Sequence, residues 1–399
     1  MTGPDPIDLL AVGDLLTDEE RLIQSTVRRF ADERIRPHIA DWFERGVFPV
    51  RELAPELGAL GLLGMHLDGY GCAGAGAVAY GAACLELEAA DSGLRSFVSV
   101  QGSLAMRAIH AFGSEEQKQQ WLPGMAAGEL IGCFGLTEPD FGSDPAGMRT
   151  TARRKGRGGT SRPEGGGDWV LSGSKMWITN GSASDVAVVW AQTEQGVRGF
   201  LVPRGTRGFT ATDVHGKLSL RASVTSELHF DEVVLPDDAV LPGVSGLRGP
   251  LSCLNEARYG ILWGTVGAAR DCYQAALDYS KSRVQFGRPI AGFQLTQEKL
   301  VEMALELEKA HLVAWRIGRL KEAGAARAAH VSFGKLNNVR SALEIARSAR
   351  TVLGANGITT AYPVLRHANN LESVLTYEGT SEIHTLVLGE AITGTAAYR

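Results

Sequence analysis

Glu378 stands between an aromatic residue and a glycine, in the run Thr376-Tyr377-Glu378-Gly379-Thr380-Ser381. A carboxylate held in a dry pocket becomes a stronger base, because desolvation raises its pKa toward the working range. Gly379 would allow close backbone approach to a ligand. The bland alternative is a surface glutamate at a helix start. A second run, Thr137, Glu138, Pro139, Asp140, Gly142, Ser143 and Asp144, is rich in turn residues. Its hydroxyls and backbone N–H groups could hold a polar ligand, or it could be an ordinary sheet-entry turn. In a third, Asp91-Ser92-Gly93-Leu94-Arg95-Ser96, the planar guanidinium of Arg95 can grip a carboxylate bidentately. Glu88 lies two helical turns before Arg95, so both could face one cavity. An intrahelical network of Glu86, Glu88, Asp91 and Arg95 on a solvated face is the competing reading.

Three regions must position these groups. From Thr17 to about Gly128 apolar residues recur at helical spacing, as in Leu22, Val27 and Phe30, then Leu53, Leu57 and Leu60. Residues 1–129 therefore read as an N-terminal helical domain. In residues 130–246 the pattern changes to short β-rich runs: Trp169 to Leu171, Lys175 to Thr179, Val186 to Ala191, Gly199 to Pro203 and Glu227 to Val234. Gly, Pro, Asp and Asn punctuate them, which predicts antiparallel strands in a small sandwich or barrel. Helical periods return in residues 247–399, where Leu300, Met303, Leu307, Ala310, Ala314 and Ile317 form one stripe. Leu305, Leu312 and Trp315 add a second apolar face, as expected of a helix buried in a bundle or an oligomer interface. The fold class is thus α+β and multidomain, in the order helices, strands, helices.

Composition excludes several classes of function. The chain has 399 residues, 44% hydrophobic and 21% charged, and no apolar run approaches the roughly 20 residues of a membrane span. The start, Met1 to Asp14, resembles no export or organelle signal, so a cytoplasmic protein is expected. Five widely spaced cysteines, Cys72, Cys84, Cys133, Cys253 and Cys272, read as buried thiols, and neither CxxC nor Cys/His spacing supports a metal. A net charge of -5 argues against nucleic acid. The basic run Arg153, Arg154, Lys155 and Arg157 reads as a solvated loop. The glycine-rich stretch Gly156 to Gly167 reads as a mobile hairpin tip with no assigned function.

The three runs together resemble acyl-CoA dehydrogenases, from about Leu15 to Ala397, and the cluster around Arg95 narrows the resemblance to the glutaryl-CoA dehydrogenase branch. The resemblance implies an N-terminal helical domain, a middle antiparallel β-domain and a C-terminal four-helix bundle. It implies FAD, because no side chain accepts a hydride. Glu378 corresponds to the family's base. Phe134, Leu136 and Thr137 correspond to residues lining the flavin ring, and Ser143 to one facing flavin or acyl-CoA. Trp177 and Thr179, in Trp177-Ile178-Thr179-Asn180, match a tryptophan packed on the flavin and a threonine reaching its reactive nitrogen; a core Trp with a capping Thr would look the same. Arg283 and Phe286, with Gln285, and the turn Gly354-Ala355-Asn356-Gly357 resemble the segments that meet the diphosphate and adenine, from a neighbouring subunit; either could be helix punctuation. Thr380 would complete the flavin contacts.

Arg258 aligns with an arginine close to the base, with a salt bridge to Glu256 as the alternative. Asn255 replaces the aspartate common elsewhere in the superfamily, a departure shared with the glutaryl branch. Arg95 and Ser96 match the pair that holds the substrate's γ-carboxylate, with Glu88 nearby and Tyr377 beside the base. An arginine at the blind end of an acyl pocket is costly unless an anion meets it. Leu94 departs from the tyrosine frequent there. These matches imply oxidative decarboxylation of glutaryl-CoA to crotonyl-CoA and CO2, electrons passing to an electron-transferring flavoprotein, and a homotetramer. Alternatives are a short-chain or branched acyl-CoA dehydrogenase, a desaturase of a carrier-bound acyl group, and a non-catalytic flavin or acyl-CoA binding scaffold.

Overall fold

The computed structural model describes residues 5–155 and 167–397. Most of the glycine-rich stretch, residues 156–166 with Arg157, lies outside the described residues. The N-terminal helices are α1 (Asp18–Phe30), α2 (Ile39–Arg45), α3 (Val50–Ala59), α4 (Ala77–Ala90), α5 (Ser92–Ser99), α6 (Arg107–Phe112) and α7 (Glu115–Ala126), with a π-helical stretch Val100–Met106 between α5 and α6. Thr17 opens α1 in a capping box with Glu20, which satisfies backbone donors at the helix start. Every residue of α4 is buried, including Glu86 and Glu88, which stand among otherwise small and apolar residues.

The middle region contributes β1 (Gly132–Gly135), β2 (Thr151–Arg154), β3 (Trp169–Thr179), β4 (Val186–Thr193), β5 (Gly196–Pro203), β6 (Phe209–Asp213) and β7 (Thr225–Leu235). The order is β1-β4-β2-β3-β7-β6, with β5 also on β4. Most pairings are antiparallel, yet β1 and β2 run parallel to β4, so the sheet is mixed. β4 explains how this arises. Its Ala187, Val189 and Ala191 face a core inside the sheet with Phe200 and Phe230, while Val186, Val188 and Trp190 join the helical core. A strand covered on both faces reads as a continuous apolar run. The two β-rich runs at Trp169 and Lys175 are one bulged strand, β3. Arg153 and Arg154 belong to β2 rather than to a loop, and pair with Glu232 (2.7 Å) and Asp237.

The C-terminal region holds α8 (Arg248–Ser282), a small hairpin of β8 (Val284–Gln285) and β9 (Arg288–Pro289), α9 (Gln294–Glu322), α10 (Ala328–Val352), α11 (Val364–Thr376) and α12 (Ser381–Thr393). The stripe Leu300 to Ile317 on α9 is buried, whereas Leu305 on its second face is 57% exposed in the protomer. α8 crosses α4 closely at Gly264. A Cβ there would lie 2.0 Å from the Glu88 carboxylate, so only glycine lets α8 pass over that buried acid.

Candidate active site

The expectation that Glu88 and Arg95 share one helix does not hold. Asp91 adopts φ -167° and ψ 142°, which ends α4, and its carboxylate caps α5 by accepting from Gly93 N at 2.7 Å. Asn370 Nδ2 also donates to that carboxylate, at 2.9 Å. The break turns Arg95 back along α4, and its Nε donates to Glu88 Oε2 at 2.6 Å. The solvated-face reading is likewise overturned, since Glu86, Glu88, Asp91 and Arg95 are each no more than 1% exposed. Arg95 NH2 donates to the Tyr377 hydroxyl, which also lies 3.2 Å from Ser96 Oγ. Burial opposes charge on Arg95, but Glu88 and the Tyr377 oxygen hold the guanidinium well above its ordinary range. Burial pushes the Tyr377 hydroxyl up to about 12, so it stays a neutral phenol.

Glu378 sits between α11 and α12, in the left-handed region at φ +53°, followed by Gly379 at φ +98°. A glutamate rarely adopts such a backbone, and strain of this kind persists where the surroundings over-determine it. Three cations surround the segment. Arg258 Nε donates to the Glu378 carbonyl at 2.7 Å and its NH1 to Asn255 Oδ1 at 3.0 Å. Glu256 pairs instead with Lys321 at 2.8 Å, so the alternative salt bridge for Arg258 is not formed. Lys335 Nζ donates to the carbonyls of Tyr377 (2.6 Å) and Gly379. Glu378 Oε2 is sealed from solvent and has no hydrogen-bond partner. Desolvation raises the Glu378 pKa, against the pull of Arg95, Lys335 and Arg258. A surface glutamate would show neither feature. The carboxylate is an under-satisfied acceptor among cations, which suits taking up a proton.

The second predicted run, Thr137 to Asp144, is a loop that leaves the end of β1 and passes beside β3. Phe134 and Leu136 are buried, the former packed on Trp190 at 6.0 Å, and Thr137 is half-buried. Lys175 Nζ donates to the Leu136 carbonyl (3.0 Å) and to Glu138 Oε1 (2.8 Å), and Met176 N donates to the Thr137 carbonyl at 2.9 Å. These bonds tie the run to the bulge in β3. There Trp177 takes φ +64° and is 58% exposed, so it is not a core tryptophan. Thr179 is half-buried and Ser143 is exposed on the loop. Thr380 caps α12 by accepting from Ile383 N at 3.3 Å, leaving its hydroxyl proton to donate elsewhere. An exposed aromatic in a strained backbone, with Thr179 two residues on in the same strand and the Thr137 backbone paired beside it, could stack on a flat ring such as a flavin.

Arg283, Phe286, Gly354 and Gly357 are not brought to this point. Arg258 lies in α8 and Arg283 is the extended residue just past its end, about 37 Å further along the helix axis at 1.5 Å per residue. The β8–β9 hairpin is exposed, with Phe286 at 93%, and a Cβ on Gly354 would meet open space. Lys335, Gly264 and the Glu138–Lys175 pair escaped the sequence reading. Lys335 left one signal: with Val331, Asn338, Val339 and Ala342 it falls on the buried face of α10, where a lysine needs a reason. No group of His, Cys, Asp and Glu suited to a metal occurs among the described residues.

Family models match along nearly the whole chain: the N-terminal domain of acyl-CoA dehydrogenase at residues 17–129, the middle domain at 133–233 and the C-terminal domain at 245–393. The fold is similar to the crystal structure of glutaryl-CoA dehydrogenase from Mycobacterium smegmatis, with 65% identity and TM-score 0.96 over 99% of this chain and 100% of that one. A glutaryl-CoA dehydrogenase from Mycobacterium smegmatis in complex with FADH2 is 60% identical, with TM-score 0.95 over 99% of this chain and 100% of that one. The mitochondrial short-chain specific acyl-CoA dehydrogenase of Homo sapiens is 35% identical over 381 residues, covering 94% of this chain and 90% of the relative.

Proposed function

Since the chain belongs to the acyl-CoA dehydrogenase family, we propose that it oxidises glutaryl-CoA and releases CO2 and crotonyl-CoA. It is an FAD-dependent enzyme of α,β-dehydrogenation. The observation that carries the glutaryl reading is Arg95, sealed at 1% exposure and held with Ser96 and Glu88 beside the base segment. Such a cation is costly in a pocket for a plain alkyl chain and useful where the acyl group ends in a carboxylate. The 65% identity to a glutaryl-CoA dehydrogenase supports the same choice.

In this reading Glu378 takes the α-proton onto its unpartnered Oε2, and Arg258 steadies the backbone that carries it. FAD, when bound, supplies the acceptor for the β-hydride. Thr137, Trp177, Thr179 and Thr380 would hold its ring, with Phe134 and Leu136 backing the same wall and Ser143 closing over it or over the acyl-CoA. Arg95, Ser96 and Tyr377 hold the γ-carboxylate until CO2 leaves, and protonated Glu378 then returns a proton to the carbon chain.

Arg283, Phe286, Gly354 and Gly357 would serve the diphosphate and adenine of a neighbouring protomer's cofactor; their distance from Glu378 and the exposed Phe286 support an oligomer, as does the open face of α9. We take that oligomer to be a homotetramer and the electron acceptor to be an electron-transferring flavoprotein. No helix among the described residues is long and apolar enough to cross a membrane, and free cysteines suit a reducing, cytoplasmic setting.

A second reading, short-chain acyl-CoA oxidation, is favoured by the 35% identity to the human short-chain enzyme and by the Arg95 donors already engaged by Glu88 and Tyr377. Mixing the flavin-loaded protein with glutaryl-CoA and an artificial acceptor separates the two. Bleaching with release of CO2 and crotonyl-CoA supports the first; equal turnover of butyryl-CoA, with none of those products from glutaryl-CoA, supports the second.

A further inference from the structure

Lys335 has no place in the reaction as derived so far, yet it lies directly beneath the base. It is 1% exposed, on the third turn of α10. Its ammonium donates to the carbonyls of Tyr377 and Gly379, the two residues flanking Glu378. A lysine buried this deeply for packing alone would be replaced by an apolar side chain at no loss. Here two carbonyls converge on one ammonium, and the residue between them is the one forced to φ +53°.

We infer that Lys335 is a positioning residue for the base: bridging the carbonyls on either side of Glu378, it holds that residue in its left-handed backbone and keeps a positive charge beside its carboxylate. The inference rests on Glu378 being the base. The other groups facing Glu378 are Glu88 from α4, Arg95 from α5, Arg258 from α8, His384 from α12 and Tyr377 next to it. Burial and the nearby cations push His384 down to about 3, so it is neutral and supplies no charge. Within this segment Arg258 donates to the Glu378 carbonyl alone, and Arg95 reaches it only through the Tyr377 hydroxyl. Among the described residues, only Lys335 donates to the carbonyls on both sides of Glu378. Burial also lowers Lys335 itself, to about 7, against the attraction of Glu378. The lysine and the glutamate therefore titrate as a pair.

The test is the pH profile of kcat for the FAD-loaded enzyme, with FAD content and thermal midpoint recorded for each variant. Lys335→Gln keeps a short donor and removes the charge. Its acidic limb should move to higher pH by about one unit or more, because the carboxylate loses a cation within reach. Lys335→Arg keeps the charge but forces a larger planar head into a site sealed around an ammonium, which displaces the two carbonyls. It should lower kcat and leave the acidic limb where the parent has it, which also decides the matter should the glutamine variant not fold. An unmoved limb in Lys335→Gln, a displaced limb in Lys335→Arg, or a parental kcat in Lys335→Arg would each overturn the inference. Glu378→Gln run in parallel separates the two readings: if it keeps parental turnover, the assignment of the base has failed, whatever Lys335 does.

Discussion

Glu86 and Glu88 are two residues apart on the same buried helix, and their carboxylates meet opposite fates. Both oxygens of Glu86 are fully engaged. Arg28 donates to them at 2.9 and 3.1 Å, and Arg270 at 2.8 and 2.5 Å. Burial works against that charge, but the arginines more than offset it and hold the carboxyl down at about 2. Glu88 receives one bond from Arg95 and leaves Oε1 without a partner, and Glu378, close enough to feel the charge of Glu88, leaves Oε2 without one. Buried charge that is fully paired fixes helices to one another. Buried charge left partly unpaired keeps free energy in reserve for a proton or a ligand. The boundary between scaffold and site runs between two faces of α4.

The largest effect should come from the less satisfied side. Glu378→Gln should bind FAD, judged by the visible flavin spectrum, and lose roughly 1,000-fold or more in kcat, the range of a positioned general base. Retained bleaching at the parental rate would put the base elsewhere.

Next in size is a change on the satisfied side. Glu86→Gln leaves two guanidinium groups without their anion and should cost about 3 kcal/mol in chemical denaturation. Its pH dependence has a definite sign. The folded pKa of Glu86 lies below the unfolded value, so its contribution is complete above about pH 4.5 and is lost as pH falls toward 2. The variant should be less stable at neutral pH and lose less on acidification, with the acidic limb of kcat unmoved. A displaced limb would mean that the two faces of α4 are coupled.

Arg95→Lys keeps a cation for Glu88 and removes the planar fork. The preference for glutaryl-CoA over butyryl-CoA, as a ratio of kcat/KM, should fall by about tenfold or more. An unchanged ratio would move Arg95 to the scaffold, in company with Arg270.

The same contrast separates what could be read in the sequence from what could not. Glu378 and Arg95 stood out as candidates because their neighbours in the chain carry the signal, a tyrosine and glycine around one and an acidic, serine-flanked turn around the other. The α9 stripe was legible through its period. Two parallel pairings of β4 were not, because a strand buried on both faces shows no alternation. The helix break at Asp91 was hidden because the residue that ends α4 is held by Asn370 and Arg366, far along the chain. Lys335 lies more than forty residues from the carbonyls it bridges, and Gly264 is needed only because Glu88 packs against it. Local chemistry can be read along the chain; the counter-charges that tune it come from elements that meet only in the fold.

The smallest expected effect sharpens the comparison from the site's rim. Asn255 accepts from Arg258 NH1, while Arg258 Nε holds the Glu378 carbonyl. Asn255→Asp would add a negative charge on the far side of that guanidinium, bringing Arg258 nearer to the paired state of Arg270. The cation would then offset less of the desolvation of Glu378. The Glu378 pKa should rise, and the acidic limb of kcat should move to higher pH by about half a unit, less than for loss of the Lys335 charge, because the new carboxylate acts on Glu378 from beyond the Arg258 guanidinium, at longer range. Folding stability should change little, since Asn255 is only half-buried. An unmoved limb would show that Arg258 serves Glu378 through its backbone carbonyl alone, leaving Lys335 and Arg95 to set the charge around that carboxylate.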